Sequence, residues 1–145
     1  MRRFLYDTNV FVYALGRAHP LRAPCQAIVS RVADGELRGE ASCDLVQEFA
    51  HQRYRQTGDR VAACRSARRV AQTCLLHALQ PSDVLRGLEL LERHPRLSGR
   101  DASFAAVALG RGIDAILTAD HAFDDVPGLE RIDPADGEAV AGLAA

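Results

Sequence analysis

Four acidic side chains are spread along the 145-residue chain, each beside an apolar or small-residue run: Asp7, Glu48, Asp101 and Asp120. Carboxylates that meet in one pocket repel one another and raise one another's pKa unless a cation neutralises them. Oxygen ligands of this kind suit Mg²⁺ or Mn²⁺, which bind phosphate groups readily. If folding brings the four acids together, the chemistry they predict is metal-dependent cleavage of a phosphodiester.

Two of these acids also fit helix starts. Asp7 follows a strand-like run at residues 3–6, and aspartate is favoured as a helix N-cap. Asp101 completes a Ser98-x-x-Asp101 pattern, which is typical of a capping box. Capping and a site role are compatible, because the amino end of a helix is electropositive and can present a carboxylate. Asp7, Thr8 and Asn9 place an acid, a hydroxyl and an amide side by side at the end of the strand, and this combination favours the site role for Asp7.

Glu48 and Asp120 have structural alternatives as well. Glu48 lies on a predicted helix, where it could be an exposed residue that pairs with Gln52 or Arg55. Asp120 ends the apolar run 116–119 and could be an ordinary turn residue. Only the complete set favours the site, and we expect all four acids to be catalytic and to bind the metal.

The remaining acids and the histidines carry weaker signals. Asp124 is left open between a water-mediated ligand and a surface residue, and Asp125 is interpreted as a surface acid. Three further acids are interpreted as cap or turn residues: Asp83, Asp114 and Asp133. The five histidines share no ligand spacing, and a general-base role for His121, next to Asp120, is disfavoured.

The sequence contains no motif for a nucleophilic serine or for a bound nucleotide. The chain has no GxSxG nucleophile elbow, no GxGxxG fingerprint and no Walker loop. Its four cysteines, with irregular spacing and no CxxC pair, favour free thiols over disulfides or zinc: Cys25, Cys43, Cys64 and Cys74. No apolar stretch reaches the roughly 18 residues of a membrane span, and no signal-like region precedes Asp7. We therefore expect a cytoplasmic protein with no membrane partner.

The net charge of −1 conceals an uneven distribution. Residues 1–72 contain 12 arginines against 7 acids, or +5, and residues 73–145 contain 6 arginines against 12 acids, or −6. The densest basic stretch extends from Arg53 to Arg69. It could attract a phosphate backbone or simply be a solvated helix face, and charge alone does not distinguish the two.

Strand-like and helical patterns alternate along one domain-sized chain. We predict strands near residues 3–6, 37–41, 75–79, 114–119 and 129–132. We predict helices near residues 8–15, 25–33, 45–54, 59–74, 83–93 and 98–110. This alternation predicts a parallel sheet covered on both faces. Ligands bind beyond the carboxyl ends of such strands, so we expect Asp7 and Asp120 to project into one crevice.

Several segments, taken in order, carry a family resemblance: Leu5-Tyr6-Asp7-Thr8-Asn9-Val10, Val46-Gln47-Glu48-Phe49, Leu97-Ser98-Gly99-Arg100-Asp101-Ala102, residues 112–120, Phe123-Asp124 and Val126-Pro127-Gly128-Leu129. Together they resemble the PIN-domain ribonucleases and, among these, the VapC-type toxins of bacterial toxin–antitoxin pairs. The resemblance covers residues 2–134, although residues 50–80 match little. None of the family's four acids is substituted in this chain.

The resemblance implies a PIN-like three-layer α/β/α fold with a central, mostly parallel sheet of four to five strands. It implies a single nuclease domain at residues 1–134, and we expect residues 135–145 to form a short, loosely ordered tail. It further implies an endoribonuclease that depends on Mg²⁺ or Mn²⁺. Such a toxin is inhibited by a cognate antitoxin and is often a homodimer.

Two alternatives remain at this point. A PIN-like module could bind RNA or act as a scaffold without turnover, although the intact acidic set disfavours this. A phosphatase or receiver domain would use an aspartate nucleophile with an Asp-x-Asp pair or a strand-end lysine. This chain has no lysine, and Asn9 stands two positions after Asp7.

Overall fold

A computed structural model describes residues 1–145 of the protein. The strands are β1 Arg3–Tyr6, β2 Arg38–Ser42, β3 Leu75–His77, β4 Ala115–Leu117 and β5 Glu130–Ile132. The helices are α1 Thr8–Leu15, α2 Arg22–Ala33, α3 Cys43–Thr57, α4 Arg60–Thr73, α5 Pro81–Arg93, α6 Gly99–Gly110 and α7 Gly137–Gly142, with a 3₁₀ helix at His121–Asp125. None of the helices combines the length and the apolar character that a bilayer crossing requires.

The five strands form one sheet in the order β3-β2-β1-β4-β5, and every neighbouring pair is parallel. Leu5 of the central strand lies opposite Glu40 on one side and Ile116 on the other. The predicted mostly parallel sheet of four to five strands is confirmed. The strand order changes direction at β1, so a crevice opens beyond the carboxyl ends of β1 and β4, where open α/β sheets bind ligands.

The central strand is apolar because helices cover both of its faces. Phe4, Leu5 and Tyr6 are fully buried, as expected for an interior parallel strand. The Tyr6 ring packs edge-on against Phe4, with ring centroids 5.1 Å apart, and in a tilted arrangement against Phe11 of α1, with centroids 4.7 Å apart. Gly39 on β2 leaves room for these rings, since a Cβ there would lie 2.6 Å from the Tyr6 ring.

A buried ion network, which the sequence did not reveal, crosses the sheet at Glu40. Its carboxylate accepts two hydrogen bonds from Arg3, at 2.8 and 2.9 Å, and one from Arg38. His77 Nε2 lies 2.6 Å from Glu40 Oε2. Burial opposes ionisation, but the bonds from Arg3 and His77 outweigh it and lower the pKa of Glu40 to about 2. Glu40 is therefore ionised and links β1, β2 and β3.

Two local elements differ from the sequence-based expectation. The residues after 134, expected to be loose, include α7, which begins where Asp136 accepts hydrogen bonds from the backbone of Glu138 and Ala139. Leu143 is fully buried, and its carbonyl accepts a hydrogen bond from the Arg2 backbone. The 3₁₀ helix between β4 and β5 was likewise not predicted, because short polar segments carry no apolar periodicity.

Candidate active site

Asp7 occupies the junction of β1 and α1 at the carboxyl edge of the sheet. It is the N-cap residue of α1, yet its side chain makes no capping hydrogen bond. Thr118, which follows β4, instead donates a 2.6 Å hydrogen bond to Asp7 Oδ2. Both residues are buried, with 3% and 1% of their surface exposed. The Asp7 carboxylate therefore faces the crevice between the two strands.

The environment of Asp7 disfavours its negative charge. Burial raises its pKa to about 7, repulsion from Asp101 and Glu48 acts in the same direction, and the hydrogen bond from Thr118 opposes both. The metal-free carboxyl group therefore keeps its proton to a much higher pH than an exposed aspartate does. A cation in the crevice would favour the ionised form.

Glu48 lies on α3 and is tied to α1. Thr8 Oγ1 donates a 2.6 Å hydrogen bond to Glu48 Oε2, and Gln52 Nε2 donates a 3.2 Å bond to Oε1. Thr8 directly follows Asp7, so this contact fixes α3 beside the end of β1. The predicted pairing with Gln52 is present, and it coexists with a position beside the crevice.

Asp101 lies in the first turn of α6 and is half-buried. Its backbone N–H donates a 3.2 Å hydrogen bond to Ser98 Oγ, as the predicted capping pattern requires. Burial raises the pKa of Asp101, hydrogen bonding to Ser98 opposes the shift, and repulsion from Asp120 and Glu48 adds to it. The cap and the neighbouring acids therefore act on the same carboxyl group.

Asp120 begins the 3₁₀ helix after β4, and its side chain is exposed. Its Oδ1 accepts a 2.9 Å hydrogen bond from the Ala122 backbone, and its own N–H donates a 3.0 Å bond to Thr118 Oγ1. Asp120 is thus a turn residue, as its alternative interpretation held, and it also lies beside the crevice. Thr118 contacts both Asp7 and Asp120.

The structure brings the four predicted acids within electrostatic reach of one another: Asp7 is repelled by Asp101 and Glu48, and Asp101 by Asp120 and Glu48. They do not form a finished ligand set, because no three Asp, Glu, His or Cys side chains lie at metal-binding spacing. Hydrogen bonds from Thr8, Thr118 and the Ala122 backbone hold Glu48, Asp7 and Asp120 in their present positions. As hard oxygen donors they suit Mg²⁺ or Mn²⁺, but a bound ion would have to draw them inward.

Two hydroxyl groups hold the acids at this site. The sequence analysis used the Thr8 hydroxyl only as support for Asp7, and it did not identify Thr118. Thr8 holds Glu48, and Thr118 holds Asp7 and the backbone of Asp120. Their one local signal is position, since each threonine is buried directly beyond a strand, where a polar group needs a partner. Their partners are distant in sequence and could not be inferred.

The acids that follow Asp120 are bound to protein cations. Asp124 accepts a 2.8 Å hydrogen bond from Arg131 and lies 3.0 Å from His121 Nδ1, and these two contacts lower its pKa. Asp125 accepts two 2.7 Å hydrogen bonds from Arg96. Asp124 therefore helps to fix the 3₁₀ helix that begins at Asp120, and Asp125 is a surface acid as interpreted.

The three acids that were interpreted as cap or turn residues each have a partner outside the set of four acids. Asp83 caps α5 at the Gln80 backbone and is also buried against Arg111. Asp114 pairs with Arg2, and Asp133 accepts a hydrogen bond from the Ala135 backbone. The four cysteines are free thiols. A cavity of about 520 Å³ lies between α5 and α6, and none of the four carboxylates lines it.

Comparison with known proteins agrees with this geometry. The PIN domain family model matches residues 4–129. Ribonuclease VapC7 of Mycobacterium tuberculosis is 37% identical over 130 residues, which cover 88% of this chain and 89% of the relative. Ribonuclease VapC23 of the same species is 32% identical over 115 residues, which cover 79% of this chain and 90% of that relative.

Solved structures with the same fold include VapBC2 from Rickettsia felis, bound to a promoter DNA fragment. It has a TM-score of 0.71 at 14% identity and covers 90% of this chain and 98% of that one. A toxin–antitoxin complex from Klebsiella pneumoniae has a TM-score of 0.67 at 16% identity, covering 90% and 97%. Mycobacterium tuberculosis VapC20, a sarcin–ricin loop cleaving toxin, has a TM-score of 0.64 at 18% identity, covering 78% and 86%.

The fold and the sequence matches define a PIN-domain protein. The chain belongs to the PIN-domain family and, within it, to the VapC ribonucleases.

Proposed function

We propose that this protein is a divalent-metal-dependent endoribonuclease that acts as the toxin of a toxin–antitoxin pair. The observation that carries the proposal is the meeting of four carboxylates at the carboxyl edge of the sheet: Asp7, Glu48, Asp101 and Asp120. The substrate is RNA, as the names of the similar ribonucleases suggest. The nuclease domain is built on residues 1–134, and the C-terminal helix α7 packs onto its core.

Asp7 and Asp101 are the proposed direct metal ligands. Burial and repulsion raise the pKa of both, so these two groups gain most from a neighbouring cation. Glu48 and Asp120, which are already hydrogen-bonded to Thr8 and to the backbone, would contribute through water or a second ion. When held by these acids, Mg²⁺ or Mn²⁺ would supply positive charge near the scissile phosphate and would lower the pKa of a water molecule.

The threonines orient the acids before any ion binds. Thr118 fixes Asp7 Oδ2 and Thr8 fixes Glu48 Oε2, each by a 2.6 Å hydrogen bond. A hydrogen bond to an ionised carboxylate favours that form, so Thr118 opposes the effect of burial on Asp7. Preorganised charge of this kind lowers the cost of binding an ion together with a phosphate.

The partners of the proposed toxin follow from its relatives. A cognate antitoxin would inhibit it, and the toxin–antitoxin complexes among structures of the same fold support this partner. A homodimer in the cytoplasm is the proposed state. No membrane partner is proposed.

One observation favours a second candidate function. Because the acids do not form a ready-made ligand set, a PIN-like module that binds RNA without cutting it would also fit. The two candidates differ in turnover and in the need for a divalent ion.

Cleavage of mixed cellular RNA by purified protein tests the proposal. We expect fragments with Mg²⁺ or Mn²⁺ and none with EDTA. Asp101→Asn should reduce the cleavage rate at least about 100-fold, because it removes a proposed direct ligand. Glu92→Gln, at an exposed acid of α5, is the matched control and should cut normally. RNA binding without cleavage in any divalent ion would favour the non-catalytic module.

A further inference from the structure

A basic groove lies where α1 and α3 end, next to the acidic crevice. Two adjoining cavities, of about 360 and 450 Å³, share Arg17 and Gln56 as lining residues. Arg53 lines the first cavity and Arg55 the second, and no acidic residue lines either. We call this surface, defined by Arg17, Arg53 and Arg55, the basic groove.

The cations of the basic groove have no partners within the protein. Arg17, Arg53 and Arg55 form no salt bridge and donate no side-chain hydrogen bond, whereas Arg111 and Arg131 are paired with acids. Unpaired guanidinium groups along a concave surface attract phosphates and can bind them bidentately. The groove is therefore suited to a polyanion.

Both helices connect the groove to the proposed active site. Glu48, Gln52 and Arg55 follow one another at spacings of four and three residues on α3, so they share one helix face. Gln52 donates a hydrogen bond to Glu48 and also lines the groove. Along the helix axis, Glu48 and Arg55 are only about 10 Å apart. A chain of phosphates bound at the crevice would thus continue directly into the groove.

An aromatic pair completes the groove. Tyr13 and His19 both line it and stack with ring centroids 4.5 Å apart and an interplanar angle of 23°. His19 Nδ1 accepts a 3.0 Å hydrogen bond from the Leu21 backbone, which fixes the exposed imidazole ring. Aromatic rings beside unpaired cations are typical of sites for single-stranded nucleic acid, where unstacked bases are available.

We propose that the basic groove binds a single-stranded RNA segment next to the phosphodiester that is cut. Arg17, Arg53 and Arg55 contact its phosphates, and a base stacks on His19. This inference rests on the proposed function in RNA cleavage. It gives the end of α3 a role in substrate binding that the sequence left undecided.

Binding of a short fluorescein-labelled single-stranded RNA to the Asp101→Asn protein tests the phosphate contacts without cleavage. We expect Arg17→Glu/Arg55→Glu to weaken binding at least about tenfold. The slope of the logarithm of the binding constant against the logarithm of the salt concentration should become less negative by about 0.7 for each phosphate contact that is lost. Arg65→Glu/Arg68→Glu, at exposed arginines of α4, is the matched control and should bind like its parent. Parental binding by the groove variant, or an equal loss in the control, would overturn the proposal.

Two substitutions at His19 test the stacking contact. We expect His19→Ala to weaken binding about five- to tenfold and His19→Phe, which keeps an aromatic ring, to restore it. If His19→Ala bound the RNA with the parental affinity, the proposed stacking of a base on His19 would be wrong.

Kinetics separate this inference from the proposed function. In protein with all four acids intact, the groove variant should have a higher KM with little change in kcat, because the groove binds RNA away from the reacting atoms. An unchanged KM would refute the groove alone. If the unsubstituted protein cut no RNA, the proposed function would fail, whatever the binding experiment showed.

Discussion

The Thr118 hydroxyl donates a 2.6 Å hydrogen bond to Asp7 Oδ2 across the junction of β1 and β4, and both residues are buried. The same hydroxyl accepts a hydrogen bond from the Asp120 backbone. One threonine thus positions two of the four carboxylates, although it lies 111 residues from the first of them. The proposed site depends on this neutral group as well as on its acids.

Thr118→Val tests the contribution of that hydroxyl group. The substitution keeps the side-chain shape but removes the hydrogen bond that favours ionised Asp7, so the pKa of Asp7 should rise above about 7. We expect cleavage at neutral pH to fall about tenfold, and the acid limb of the pH–rate profile to move to higher pH. Thr118→Ser, which keeps a hydroxyl, should be close to parental. A valine variant with the parental profile would contradict the assignment.

Asp7→Asn should stabilise the metal-free protein at alkaline pH. Because the pKa of Asp7 is raised on folding, its contribution to stability is greatest below the unfolded pKa of about 4 and is lost as the pH rises through about 7. The asparagine side chain carries no charge, and its amide oxygen can still accept the hydrogen bond from the Thr118 hydroxyl. The gain in the free energy of unfolding at pH 8 should reach at most about 4 kcal/mol and should shrink towards pH 5.

Urea denaturation in EDTA at both pH values would measure this difference. Glu92→Gln, at an exposed acid, serves as the control and should change little. A variant that is less stable than its parent at pH 8 would show that Asp7 does not carry a destabilising charge.

Glu40→Gln should destabilise the fold. The pKa of Glu40 is lowered on folding, so its contribution is present at neutral pH and is lost only as the pH falls through about 2. Replacing it leaves Arg3 without its ionised partner. The cost should be at most about 3 kcal/mol, because Arg3 is partly exposed and keeps its hydrogen bond to the Arg111 carbonyl. Glu36→Gln, at an exposed acid paired with Arg31, should cost less than about 1 kcal/mol. Equal denaturation midpoints for the two variants would be inconsistent with this network.

Asp124→Asn distinguishes a positioning role from metal ligation. The substitution weakens the contacts to Arg131 and His121 that hold the 3₁₀ helix, so we expect kcat to fall only a few-fold. Stability should change by less than about 1 kcal/mol, since these pairs are near the surface. Asp120→Asn should impair cleavage and Mn²⁺ affinity much more. Equal losses of Mn²⁺ affinity in the two variants would make Asp124 a ligand.

The sequence predicted features that depend on neighbouring residues. The strand before Asp7 and the strand before Asp120 were apparent from short apolar runs, and the alternation with helices predicted the parallel sheet. Glu40 was missed because an acid within a short strand resembles an outward-facing residue. It is buried because Arg3 neutralises its charge and His77, from another strand, forms a hydrogen bond with it.

The contacts that hold the acids were beyond sequence reasoning for a related reason. Thr118 meets Asp7, and Thr8 meets Glu48, only after the sheet and α3 have assembled. The C-terminal helix was missed because its small residues carry no apolar periodicity. Its end at Leu143 nevertheless packs into the core.

Calorimetric titration with Mn²⁺ would show whether Asp7 and Asp101 belong to one metal site. We expect the unsubstituted protein to bind Mn²⁺ and to release protons near neutral pH, because the Asp7 carboxyl group must ionise. An Asp7→Asn/Asp101→Asn variant should show no binding at millimolar concentration. The absence of binding to the unsubstituted protein, or equal binding by the double variant, would contradict the claim that these acids form one metal site.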